Sequence, residues 1–220
     1  MSLKDVADIA QSASVIIASL FAIYGIDAWR REFIGKRRIE LAEEVLALFY
    51  QAKDIIEAIR SPFGYGGEGE TRKPGPNEPP EQKQALDQAY VLIERYNRHI
   101  EIFSRIHALR YRFMAQFNAT ASQPFDDLNR VINELILSAQ RKARLSTTPE
   151  WRLRTEDAAD KHHEKYLEID RIYYSGSEDD PIASRVEKIV SDIEATCKAI
   201  IESRGTLFAI INLKLFKRNG

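Results

Sequence analysis

The chain opens on apolar residues. From Ile9 to Ile26 there are 18 positions without a charge. Eight of them insert strongly into bilayers: Ile9, Val15, Ile16, Ile17, Leu20, Phe21, Ile23 and Ile26. At about 1.5 Å per helical residue the run spans about 27 Å, close to the roughly 30 Å of a hydrocarbon core. At roughly −0.3 to −0.6 kcal/mol each, the eight contribute on the order of −2 to −5 kcal/mol to insertion. Gln11, Ser12, Ser14, Ser19 and Gly25 offset part of that. Trp29 follows at the position where an amphipathic ring meets the interface, and Arg30, Arg31, Lys36, Arg37 and Arg38 come directly after. The positive-inside rule then predicts a membrane anchor over residues 1–28, its N-terminus out and the bulk of the chain cytoplasmic. A bacterial-type inner membrane is the expected location. The n-region is not basic and no small-x-small site precedes the arginines, so a cleaved signal peptide is not expected. Ser14, Ala18 and Ala22 recur every fourth residue, a spacing that lets two membrane helices approach closely. The alternative is a soluble cytoplasmic chain in which this segment is a core or interface helix.

Helical periodicity continues beyond the anchor. Ile34, Leu41, Val45, Leu48, Ala52, Ile55 and Ile59 follow steps of 7, 4, 3, 4, 3 and 4, an a/d seam. This predicts an amphipathic stalk helix over 29–60, continuous with the anchor or broken near Gly25 or Gly35. Leu41, Val45 and Leu48 join Ser14, Ala18 and Ala22 as expected self-association contacts. Residues 61–80 hold five glycines and five prolines, which predicts a loop with a flexible tip and a possible protein-partner contact. Residues 81–220 read as a helical bundle. Leu86, Tyr90, Ile93, Ile100, Phe103, Met114 and Phe117 predict one helix over 81–117. Pro124 opens a second, with Phe125, Leu128, Val131, Ile132, Leu135 and Ile136 on its apolar face. Thr148 as N-cap with Pro149 predicts a third, running to Tyr174. Asp180-Pro181 opens a last helix, with Val186, Val190, Ile193, Cys197, Ile200 and Ile201 facing inward and a kink expected at Gly205. Leu207–Phe216 forms a second apolar terminus, another expected partner contact. The fold class is therefore all-α: a long transmembrane or hydrophobic helix, its stalk continuation, and a bundle of about four further helices.

The formal net charge of −1 over 220 residues excludes a globally basic nucleic-acid binder. It conceals segregation: residues 155–180 carry 9 acidic against 3 basic groups, and residues 81–154 carry 12 basic against 8 acidic. Arg98, Arg105 and Arg112 stand seven residues apart and share a helix face. With Arg141, Lys142, Arg144, Arg152 and Arg154 they are candidate contacts for nucleic acid or anionic lipid. The expected reading is a solvated face paired with the acidic helix over 155–170, with nucleic acid not favoured.

Chemistry-bearing patterns are sparse. The single cysteine, Cys197, excludes an intramolecular disulfide, and on an apolar face without an adjacent base it is not expected to be a nucleophile. Gly64-x-Gly66-x-x-Gly69 spells a dinucleotide fingerprint, but that motif needs a strand before it and a helix straight after, whereas a helix precedes and prolines follow here. His107 falls on the apolar stripe and is expected in the core. Asp160-x-x-His163 is half of a helical carboxylate–histidine metal site, with no second copy in the chain. No arginine stands five to seven residues before His99, His107, His162 or His163, so a ribonuclease motif of the form Arg-x(4–6)-His is absent. The expectation is a non-enzymatic scaffold, assembly or pore-forming subunit with no catalytic residues, cofactor or metal. Its expected partners are a lipid bilayer and other copies of itself. The alternatives are a soluble module binding nucleic acid or anionic lipid through the Arg98/Arg105/Arg112 face, or a helical subunit of a larger soluble complex.

Overall fold

A computed structural model describes the backbone of residues 3–76 and 78–216, and side chains over 11–76, 78–149 and 152–202. The described chain is all-helical. A long N-terminal helix, α1 (Leu3–Ile59), is followed by α2 (Pro80–Arg98), α3 (Ile100–Gln116), α4 (Gln123–Ser146), α5 (Glu156–Tyr173) and α6 (Pro181–Phe216). Single 3-10 turns stand at Thr120–Ser122 and Glu150–Leu153. The chain divides into two compact units, Met1–Glu43 with Ala199–Gly220, and Glu44–Lys198.

Local signals explain most helix ends. Pro79 is extended and Pro80 takes the first position of α2, where a missing N–H costs nothing. Glu81 lies in the first turn of α2 and Arg95 and Arg98 in the last, each favourable to the helix dipole. The Thr155 side chain accepts from the Ala158 N–H at 3.3 Å and caps α5. Asp180 accepts from the N–H groups of Ile182 and Ala183 at 2.9 and 3.0 Å and caps α6. The expected start at Thr148 and Pro149 is thus corrected: those residues lead into the 3-10 turn, and the true cap comes seven residues after Thr148.

The interior of the Glu44–Lys198 unit is built around α4, which packs against α2, α3 and α5. Its apolar stripe of Phe125, Leu128, Val131, Ile132 and Leu135 is buried as the spacing predicts. Phe49 of α1 meets Phe125 edge-on at 5.0 Å between ring centres, and Phe113 of α3 meets the same ring at 5.4 Å. Ile182, Val186, Ile189, Val190, Ile193 and Cys197 form the buried stripe of α6.

The segment over 81–117 is two helices. His99 leaves helical geometry, at φ −115° and ψ 13°, although neither proline nor glycine is present there. The break shifts the helical phase, so the buried face carries Ala89 and Leu92, then Phe103, Ile106, Leu109 and Phe113. Ile100 is exposed, and so is His107, contrary to its expected place in the core. His107 instead stacks edge-on against Tyr111 at 5.7 Å.

The unit of Met1–Glu43 with Ala199–Gly220 contains the apolar start of α1. No break occurs at Gly25 or Gly35. Leu41 and Ala42 are its fully buried side chains among those described. Gly205 and Leu207–Phe216 lie in α6, with their side chains outside the described residues.

Candidate functional site

The first candidate is the surface of α1 before Leu41. Val15, Ile16, Ile17, Leu20, Phe21, Ile23, Tyr24, Ile26 and Trp29 are all exposed, and none of the most apolar 18-residue window of the helix is buried. Ser14, Ala18 and Ala22 are equally exposed. The side chain of Ile9 lies outside the described residues. A helix that is apolar all round is ordinarily covered by other protein or by lipid. By length and composition α1 is the one described helix able to cross a membrane. One of its polar groups is satisfied locally: the Ser19 hydroxyl donates to the Val15 carbonyl at 2.8 Å, one helical turn back.

The basic end of this surface has its own order. Trp29 stacks on Phe33 at 5.7 Å, and the Arg37 guanidinium lies 4.8 Å above the Phe33 ring. Arg31 pairs with Asp27 and Lys36 with Glu40, each at 3.9 Å and well exposed. Arg30 and Arg38 are exposed on the same stretch. The ladder of aromatic ring and guanidinium suits a zone that is apolar on one side and wet on the other.

The expected self-association residues divide. Leu41, Val45 and Leu48 are buried within the single chain, so their surface is already in use. Ser14, Ala18 and Ala22 keep theirs.

The Arg98/Arg105/Arg112 face is paired inside the chain. Arg105 donates to Glu44 of α1 at 2.5 Å, and Arg112 reaches the same carboxylate at 3.9 Å. Arg98 contacts Glu94 and Glu68. The partners come from α1, α2 and the 61–80 loop rather than from the acidic helix over 155–170. More than half of each arginine side chain remains exposed.

The loop over 61–80 is pinned by charge. Arg95 donates to Glu68 at 2.6 and 3.0 Å, and to the carbonyls of Ile59, Ser61 and Phe63. Glu94 accepts from the Gly69 N–H at 2.7 Å and the Thr71 hydroxyl at 2.8 Å. Arg72 bridges Glu78 and Asp87. Gly69 sits at φ +88°, and a Cβ there would stand 2.1 Å from the Asp87 carbonyl oxygen. That glycine thus serves close packing against α2 and not a phosphate. Phe63 and Tyr65 project from this fixed loop, 84% and 85% exposed.

Two buried cations complete the unit: Arg60, which does not stand out in the sequence, and Lys142, which is buried and paired instead of lying on the expected anion-contact face. Arg60 is 2% exposed. It forks onto Asp180 at 2.8 and 2.9 Å and donates to the carbonyls of Arg171, Ile172 and Tyr174 at 3.1, 2.9 and 2.6 Å. Lys142 bonds Asp170 and lies 4.6, 4.9 and 4.6 Å from the rings of Tyr166, Tyr173 and Tyr174. Burial disfavours the charged form of this lysine, but the Asp170 bond prevails and holds its pKa above the ordinary value.

These groups look structural and not catalytic. Cys197 is buried, and desolvation pushes its thiol up to about 12. Asp160 and His163 are exposed, and among the described residues no three His, Cys, Asp or Glu side chains are grouped to hold a metal ion. Comparisons with protein-family models, with curated proteins and with solved structures found no match to this chain.

Proposed function

We propose that this is a non-enzymatic attachment protein: a folded helical bundle fixed to a bilayer by the apolar start of α1. The observation that carries the reading is the α1 surface from Gln11 to Ile26, which is uncharged, exposed all round and followed by Trp29 and five basic residues. Water is a poor solvent for such a surface, and a bilayer of matching thickness covers it completely. The positive-inside rule then sets the N-terminus outside and the bulk of the chain in the cytoplasm. Self-association through Ser14, Ala18 and Ala22 fits the same setting and leaves room for a scaffold or pore-forming assembly.

A second reading is a helical subunit of a larger soluble complex, in which partner helices cover α1. The weakness of the apolar run favours it, because Gln11, Ser12, Ser14 and Ser19 suit helix–helix contact as well as lipid. Fractionation with an alkaline carbonate wash separates the two. Retention in the washed pellet supports the bilayer reading. Release as a high-mass soluble species supports the complex, and release as a monomer removes both.

A further inference from the structure

Every arginine of the 98–112 face has a carboxylate partner, whereas the cleft between α4 and α5 is differently charged. It holds about 300 Å³ and is lined by Arg141, Arg144, Leu145, Lys165, Glu168 and Ile169. Arg141 and Arg144 stand three residues apart on α4, and Lys165 and Ile169 four apart on α5, so each pair shares a helix face. Among the described residues, the side chains of the three cations and of Glu168 form no ion pair or hydrogen bond, while the Arg144 carbonyl accepts from the Thr147 and Thr148 hydroxyls. The neighbouring Lys142 is spent on Asp170 and its tyrosines. We propose that this cleft binds a phosphate monoester carried on a small apolar stem.

Three cations against one carboxylate leave a charge of +2 in the cleft. A phosphate monoester carries about −1.5 to −2 at neutral pH and offers three acceptor oxygens. Two guanidiniums on adjacent turns match that geometry better than they match a single carboxylate. Leu145 and the buried Ile169 supply the apolar floor for the stem. Nucleic acid is the poorer match: it needs a track of roughly six to ten phosphate contacts or a stacking platform, and this cleft has three cations and no aromatic lining. The proposal is independent of what covers α1.

The test uses the full chain in neutral detergent, titrated calorimetrically with dihexanoyl phosphatidic acid and with glycerol phosphate. Saturable binding is expected, weakening as sodium chloride rises. The R141Q/R144Q double variant should bind at least about tenfold more weakly, since it loses two charge-assisted bonds. Both arginines are exposed, so its thermal unfolding should match the parent. Arg112→Gln should leave binding unchanged. Tighter binding of the phosphatidic acid assigns the site to a lipid headgroup, and equal binding assigns it to a soluble phosphate ester. Absence of saturation overturns the proposal, as does equal loss in R112Q or no loss in R141Q/R144Q. A single-stranded oligonucleotide that binds through Arg141 and Arg144 more tightly than either phosphate also overturns it.

Discussion

Arg60 and Asp180 form a buried fork that joins the end of α1, the end of α5 and the cap of α6. Removing one member leaves the other charge buried and alone, which costs far more than the net worth of the pair. Arg60→Met is expected to destabilise the bundle by about 3–5 kcal/mol, read as a lower denaturation midpoint. Combining it with Asp180→Asn should recover part of the loss; a double variant no more stable than R60M would show that the fork is not the cause. Cys197 gives a second residue-scale expectation. Its buried, poorly ionised thiol should resist a thiol-specific reagent in the native protein and react fully in denaturant. Native-state labelling as fast as in denaturant would contradict its place in the core. The burial of Arg60 and of Lys142, the latter expected on the surface, was not legible from the chain. Their partners lie 120 and 28 residues away, and no local spacing announces a pairing of that length.

The elements were more legible, and their failures have clear causes. The α4 stripe and the described α6 stripe from Ile182 to Cys197 follow directly from their spacing, because each keeps one phase, with Ile200 and Ile201 half-buried beyond it. The 81–117 segment misleads because the break at His99 carries no breaker residue and resets the phase. The 61–80 loop reads as flexible because glycine and proline mark it as non-helical without saying what holds it. Glu68, Arg72, Glu94 and Arg95 hold it, and each alone reads as surface charge. For α1, one charge in the centre of the exposed run is decisive. Ile17→Asp costs roughly 2.5–3.5 kcal/mol at a helix centre, comparable with the whole favourable total of the span. It is expected to release the protein from carbonate-washed membranes while leaving the helical signal of the bundle unchanged. Continued retention would place the anchor elsewhere.

At the scale of the whole molecule, charge pairs set the response to acid. Burial raises the pKa of Asp180, but Arg60 and the α6 N–H groups outweigh it, and the carboxyl ends below its usual range. For Glu94 burial is likewise outweighed, by Thr71, the Gly69 N–H and Arg98; for Asp87, by Lys83 and Arg72. The Arg95 bond lowers Glu68 against its burial. Each folded-state pKa therefore lies below its unfolded value. The stability these groups contribute is present above roughly pH 4 and is lost as pH falls through the folded values. Cooperative loss of helix below about pH 4 is expected, with little change in midpoint between pH 6 and 8. A stability that rises on acidification would mean that these pairs are broken in solution.

The Arg60–Asp180 separation of 120 residues also sets a clock. A ribosome adding about 5–20 residues per second needs roughly 6–24 seconds to pass from one partner to the other. During that interval the end of α1 has no counter-charge to close on, while its apolar start is already synthesised. On the proposed anchor reading, the bilayer engages the first helix before the bundle can lock. On that reading, a nascent chain stalled before Asp180 is attached but unfinished.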